Sequence, residues 1–308
     1  MLPMPDLVAA VRNAPGLLGK RDLKLVRDFA GEGDDAALIP HGDGFLVVCG
    51  EAMSPPFVLA DPFGAGAAAV VTNVSDVRAM GGRPLALVDM LVSPDHEHAS
   101  TVLEGIAWAA DKLGVDVVGG HLTIGHEPAL SASCTGFAKV PLKASAAKPG
   151  DALVAAFATE GRWMSATQPF WTSLHDRDDE RLRSDGEALV EIAERGLAHA
   201  ARDVSMPGIA GSLLQMIEGA GCGANLHTDA IPRPDGAPIE RWLLTFPSFG
   251  FLLATRRPEE TCAVFERHGL AAAHCGSFDD TRTLKLDGRT AWDLNQTPLT
   301  GLSPSAGA

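Results

Sequence analysis

Four groups of residues have the types and spacing that metal-assisted phosphate chemistry needs. Gly33-Asp34-Asp35-Ala36-Ala37 sets two adjacent carboxylates after a glycine, at the entry to a strand pattern. Paired hard oxygens on a flexible turn suit Mg²⁺, but aspartates also gather in turns simply because they cap them. Taken alone, this turn reads as structural more readily than as metal-binding. Asn73-Val74-Ser75-Asp76 runs on to Ala79-Met80-Gly81-Gly82. Asn73 and Asp76 are three apart, so a helix puts them on one face. Among Ala, Val and Gly neighbours they need partners: a metal, a phosphate reached through one, or the backbone bonds of a buried polar pair. In Val118-Gly119-Gly120-His121-Leu122-Thr123, a Gly-Gly turn after an apolar strand lets backbone N–H groups approach an anion. His121 can ligate a metal, donate to a phosphate or move a proton; it can equally be a hydrogen-bonded turn residue, with His126 five residues on. In Asp203-Val204-Ser205-Met206-Pro207-Gly208-Ile209 a carboxylate precedes a Pro/Gly turn that opens a small-residue helix. That brings it near helix N–H groups, a combination that metal-and-phosphate sites use.

The elements that position these groups follow from periodicity and turn residues. Short helical patterns cover 6–12, strands 45–49 and 85–91, and a helix Asp61 to Met80 stopped by Gly81-Gly82-Arg83-Pro84. The small residues of that helix imply very close packing against another element. An amphipathic helix covers 97–113 and ends at Gly114; strands follow at 115–118 and 130–140. Lys148-Pro149-Gly150-Asp151 marks a boundary, giving domains 1–147 and 148–308. Beyond it, 152–156 reads as a strand and 184–202 as a helix capped by Ser184 with Glu187. A helix is expected at 210–219, strands at 242–246, 250–254 and 271–278, and a poorly ordered tail from Thr297. Strands and helices alternate without one strict βαβ register, which favours an α+β or mixed α/β pair of domains.

Composition bounds the partners. The chain has 308 residues, 25 Lys and Arg against 39 Asp and Glu, and a formal net charge of −14. Such acidity disfavours nucleic-acid binding through a broad basic surface. Most of the acids serve solubility. The longest apolar stretch, Ala65 to Val71, is far too short to span a membrane. No signal-peptide pattern opens the sequence. Cys49, Cys134, Cys222, Cys262 and Cys275 are scattered, with no CxxC, so a reduced, cytoplasmic chain is expected.

The order of the motifs is more specific than any one of them. GDDAA, a strand ending at Glu51, DP..GA.AAVVTNVSDVRAMGGRPLA, VVGGH.T, KPGD and DVS..GI.GSLLQM follow one another between residues 30 and 255. Together they resemble the ATP-binding superfamily of aminoimidazole ribonucleotide (AIR) synthetase, thiamine-monophosphate kinase, selenophosphate synthetase and a hydrogenase maturation factor. GDDAA with NVSDVRAMGGRP looks most like the kinase. Gly119-Gly120-His121 and Asp203-Val204 with Gly208 look more like selenophosphate synthetase. The resemblance implies a two-domain PurM-like fold, with N-terminal halves paired in a homodimer as a β-barrel and a C-terminal α/β sandwich. It implies ATP in a cleft between the halves, with Mg²⁺ on Asp34, Asp35, Asp76 and Asp203. Asn73, Gly119, Gly120, Thr123 and Gly208 then fall on the nucleotide side, and Glu51 and His121 become the candidate catalytic residues.

The sequence also departs from its relatives. Glu51 and His121 stand where the kinase has Asp, and Phe246-Pro247-Ser248-Phe249-Gly250-Phe251 replaces the kinase's GDYELLFT-like segment near the end, where the missing acid tells against a thiamine substrate. The reactive Cys and Lys segment of selenophosphate synthetase has only Gly19-Lys20 as a counterpart, and the hydrogenase factor's C-terminal cysteine is missing. Cys49, beside Glu51, reads as a buried inert thiol rather than a nucleophile. The expected function is therefore ATP- and Mg²⁺-dependent phosphorylation of a small molecule, or activation of a carbonyl or amide through a phosphorylated intermediate. The alternatives are the thiamine-monophosphate kinase reaction, selenophosphate synthetase-like transfer, and a non-catalytic nucleotide-binding dimer.

Overall fold

The computed structural model of the chain describes residues 4–13, 33–164, 169–206 and 208–300. Gly19-Lys20, Pro207 and the tail beyond Thr300 lie outside the described residues. Helix α1 is Met4–Arg12. A hairpin of β1 (Ala37–His41) and β2 (Gly44–Met53) turns at Gly42, whose φ is +60°. Then come α2 (Pro55–Ala60), α3 (Pro62–Ala79), β3 (Arg83–Ser93), α4 (His96–Leu113), β4 (Asp116–Ile124) and β5 (Ala129–Ala138). The sheet order is β1-β2-β5-β3-β4. Its one parallel pair, β3 with β4, needs a crossover, and α4 supplies it.

Helix α3 begins at Asp61, whose carboxylate caps the Gly64 N–H at 2.9 Å. Between Gly64 and Ala79 every residue but Ala68 is buried. A helix apolar on nearly all sides must be enclosed, and here the sheet and α4 enclose it. Val70, Val74 and Val77 share a core with Leu87, Leu91 and Cys134. The close packing expected of the small residues is present: a Cβ on Gly66 would stand 2.1 Å from the Val102 carbonyl oxygen, and one on Gly105 2.1 Å from that of Phe63. The other face of the sheet is bare. Ile39, Val88 and Met90 on it are 50%, 36% and 46% exposed, and every residue of the edge strand β4 is exposed. The single chain thus holds an open sheet, with no closed barrel among the described residues.

The second half has β6 (Ala152–Phe157), β7 (Arg162–Trp163), β8 (Phe170–Thr172), α5 (Asp179–Glu194), β9 (Ala200–Asp203), α6 (Gly208–Ala220), β10 (Gly223–Leu226), α7 (Ile239–Trp242) and β11 (Phe246–Pro247). It continues with β12 (Gly250–Thr255), α8 (Pro258–Arg267), β13 (Ala271–Asp279), β14 (Thr283–Leu286) and β15 (Arg289–Asp293). Seven strands form one sheet, β15-β14-β10-β13-β6-β12-β9, and three a small one, β11-β8-β7. Central strand β6 is a continuous apolar run because both its faces are covered. Leu153, Ala155 and Phe157 share a core with α6; Val154 and Ala156 share one with α5 and α8.

Four expectations are corrected. The helix expected over 184–202 is α5, which starts at Asp179 under the Asp178 cap and ends before Gly196 (φ +61°). The alanine-rich remainder, readable either way, pairs with β12 as strand β9. Residues 242–246 are the end of α7 and the start of β11, not a strand. Gly119-Gly120 is not a turn but lies within β4, paired to Val88 and Asp89. The start of the tail is packed: the Glu218 carboxylate accepts hydrogen bonds from the backbone N–H groups of Leu299 and Thr300.

Candidate functional site

Three carboxylates from distant parts of the chain meet where the two halves join. Asp76 lies on α3, Asp35 on the turn before β1, and Asp203 ends the edge strand β9. Each offers an oxygen such that the three atoms lie within 4.8 Å of one another. Asp76 and Asp203 are 6% and 2% exposed. The turn is held by hydrogen bonds from the neighbouring strand. The Asp203 N–H donates to Asp35 Oδ2 at 2.9 Å, and Arg202 Nη1 to the Gly33 carbonyl oxygen at 3.0 Å. Arg202 Nη2 lies 3.1 Å from Asp35 Oδ1 and donates to Gln215 Oε1 at 2.6 Å.

One guanidinium cannot neutralise three carboxylates. At separations up to 4.8 Å and an effective dielectric near 20, each like pair repels by about 3 kcal/mol. Burial pushes the Asp76 carboxyl well above the usual carboxylate range, and the charges of Asp203, Asp35 and Glu51 push the same way against Arg202. Asp76 Oδ2 is buried with no hydrogen-bond partner among the described residues. An all-oxygen, electron-rich set with an orphaned buried acceptor fits a hard divalent cation.

The other expected residues fall in several places. Asp34 turns away from the trio, toward Ser145, whose N–H and hydroxyl lie 3.2 and 3.4 Å from its oxygens. Burial and the charge of Asp35 push its pKa up to about 6. Asn73 is fully buried and bonded internally: Nδ2 donates to the Ala69 carbonyl oxygen at 2.8 Å, and the Cys49 thiol lies 3.4 Å from Oδ1. Burial drives the Cys49 pKa far up, which leaves the thiol protonated and unreactive. Glu51, exposed on β2, shares a cross-strand row with Ala132, Asp89 and Gly120 on the side of the sheet that faces the helices. His121 and Thr123 alternate to the opposite, bare side, beside Met90 and Val92. Gly119 is on that side too. Gly208 has a packing reason to be glycine: φ is +85°, and a Cβ would stand 2.4 Å from the Leu244 backbone.

Two residues of this region carried no expectation. Arg202 is the counter-ion that docks the turn onto β9, and the signal was an arginine directly before Asp203. Asp89 is a 6%-exposed acid in the middle of the apolar strand Leu85 to Leu91, with its pKa raised by burial. The bare backbone of Gly120 makes room for it, since a Cβ there would stand 2.2 Å from Asp89 Oδ1.

Comparison with known proteins places this geometry. Residues 33–138 match the family model "AIR synthase related protein, N-terminal domain", and residues 148–289 match "AIR synthase related protein, C-terminal domain". The chain belongs to the AIR synthase related family. An uncharacterised protein of Synechocystis is 35% identical over 97% of this chain and 99% of its own length. The selenide, water dikinase of Aeromonas salmonicida is 30% identical over 85% of this chain and 74% of its own. Thermotoga maritima PurL, solved in complex with ATP, shares the fold at a TM-score of 0.75 and 22% identity, covering 92% of this chain. The present chain spans about half the length of that PurL chain. As a family member the chain has ATP-using enzymes among its relatives, and the structure has no helix long and apolar enough to cross a membrane, among the described residues.

Proposed function

We propose that this protein is an ATP- and Mg²⁺-dependent enzyme that phosphorylates a small molecule, or activates a carbonyl or amide oxygen by phosphorylating it. The observation that carries the reading is the convergence of Asp35, Asp76 and Asp203 across the two halves, with Asp76 Oδ2 left without a partner among the described residues. The nucleotide use of the relatives supports it. Bound there, Mg²⁺ would neutralise phosphate oxygens and the charge that develops as a phosphoryl group moves. The chain's own work is placement. Arg202 fixes the Asp35 turn against β9, α3 holds Asp76 rigidly, and Glu51 and Asp89 set acidic groups along the helix-facing row beside the site. Asp34 supports the turn rather than the ion. His121, on the far side of its sheet, would reach a substrate only from that side. The deciding experiment measures ATP affinity with Mg²⁺ and with EDTA, then ADP release across a panel of metabolites. Equal affinity in both buffers would reject the reading.

The pH dependence of stability gives a second check. In metal-free protein Asp34 and Asp76 have folded pKa values above the unfolded value near 3.8. The folded state then binds more protons, so their stabilisation is complete below about pH 4; the Asp34 share is lost as pH rises through about 6, and the Asp76 share as pH rises through its own raised pKa. Asp185, pushed to about 6 by burial beside Arg177, adds a slope that Mg²⁺ leaves unchanged. Thermal melts in EDTA should therefore drop from pH 5 to 7.5. Added Mg²⁺ should recover the Asp76 share of the loss at pH 7.5, leave the Asp34 and Asp185 shares, and change little at pH 5. A shift of equal size at both pH values would mean that Mg²⁺ binds elsewhere.

The bare sheet supports a homodimer. Its apolar face and its edge strand, with Val118 65% exposed, have the features of an unfinished interface. Val88→Glu with Met90→Glu is expected to give a monomer in light scattering at micromolar concentration, against a dimer for the wild type. A wild-type monomer would refute the assembly.

A further inference from the structure

Arg78 opens a second polar site on the far side of α3. Residues two apart on a helix do not share a face, and Arg78 leads away from Asp76 toward α5. It is 5% exposed. Its Nη2 donates to the Leu182 carbonyl oxygen at 3.3 Å, and among the described residues that is the single hydrogen bond of a group with five N–H donors. Gly186 on α5 lets it pass, since a Cβ there would stand 2.2 Å from Arg78 Nε.

The guanidinium lines a cavity of about 210 Å³ between the two halves, together with Arg83, Arg183 and Glu187. Arg183 spends Nη2 and Nε on the carbonyl oxygens of Asp111 and Lys112. Arg83 forks onto Glu187 at 2.8–3.2 Å and reaches Glu194 at 3.5 Å. Asp185, the buried acid nearby, is held by Arg177 at 2.6 Å. The lining therefore carries three cations and one carboxylate. A buried cation with idle donors is costly unless an anion or ordered water meets them. The volume is below the roughly 300–1,000 Å³ of a drug-sized pocket, so the occupant is small.

We propose that this cavity is an anion site, distinct from the carboxylate cluster, that takes a phosphate group between Arg78, Arg83 and Arg183. Its occupant ties α3 and the start of β3 to α5, and so locks the two halves together. The site stands independently of the proposed catalytic function.

The test titrates the whole metal-free protein with inorganic phosphate in EDTA, at constant ionic strength set with chloride. Without Mg²⁺ the acidic cluster repels the probe. The expected result is a saturable rise in melting temperature, with a calorimetric Kd of roughly 1 mM or tighter. Arg78→Met should weaken binding at least about tenfold, the value of one charged hydrogen bond. Should that variant fail to fold, Arg183→Gln, at an exposed position, should weaken binding similarly. Methyl phosphate separates the sources: equal affinity assigns the phosphate end of a metabolite, and exclusion assigns the free ion. Absence of saturable binding, or the same affinity in Arg183→Gln as in wild type, would overturn the proposal and leave a hydrated cavity with Arg78 solvated by water.

Discussion

Asp76→Asn is expected to abolish Mg²⁺-dependent ATP binding and, in the same protein, to raise the melting temperature of the metal-free form. The two effects share one cause. Asp76, on α3, is buried, and burial together with three neighbouring acids opposes its ionisation. At neutral pH the metal-free fold must keep a proton on it or bear repulsion of about 3 kcal/mol per like pair. Asparagine has nearly the same shape and no charge, so it relieves that cost. It also removes a hard anionic ligand from a site that Mg²⁺ needs. Loss of an outer-shell partner lowers metal affinity by about 10–100-fold; loss of a ligand should exceed that range. The opposed directions make the test strict. A misfolded variant would lose both affinity and stability, whereas a residue unrelated to metal would lose neither. Calorimetry with an ATP analogue and Mg²⁺, beside melts in EDTA, reads both. Unchanged nucleotide affinity would remove Asp76 from the site.

Much of this site was legible in the sequence because its residues break local patterns. Asp76 on an Ala/Val/Gly helix and Asp203 before a glycine turn are polar where periodicity calls for apolar. Their meeting was not legible, because it depends on β9 lying at the sheet edge, and 200–203 has an alanine-rich composition that suits helix and strand alike. Without that strand the 33–35 turn has no visible partner, and Asp34 and Asp35 look equivalent. The structure separates them by direction, Asp35 to Asp203 and Asp34 to Ser145. Gly119-Gly120 misled for a related reason. Glycine pairs usually mark turns, but here Gly120 clears space for the buried Asp89 carboxylate within a strand. The small strands β14 and β15 escaped notice because each is only 4–5 residues long.

The largest loss of stability should come from Gly66→Val, and it should carry the site with it. Helices α3 and α4 cross where Gly66 and Gly105 remove the side chains from both contact surfaces. The Cβ of any residue at 66 would lie 2.1 Å from the Val102 carbonyl oxygen and 3.0 Å from the Ile106 nitrogen, both backbone atoms of a helix that cannot rotate away. Ordinary contact begins near 3.4 Å, so the helices must part by roughly 1 Å or more along the seam. Overpacking typically costs about 1–3 kcal/mol, and a clash against rigid backbone belongs at or above the top of that range. For a chain of 308 residues, about 3 kcal/mol is a fall of about 5 °C in melting temperature. Gly50→Ala is the control, because its Cβ would meet the Ala132 carbonyl oxygen at 3.5 Å, an ordinary contact. Asp76 lies on the same helix as Gly66, and α3 moves as a rod, so a milder Gly66→Ala should fold and still bind Mg²⁺–ATP more weakly than wild type. That coupling separates positioning from chemistry: Gly66→Ala alters the distance between Asp76 and the two acids on other elements, and leaves all three carboxylates in place. Full nucleotide affinity in a Gly66→Ala variant with a lowered melting temperature would show that α3 gives at the crossing without moving Asp76, and the helix crossing would then be a feature of stability alone.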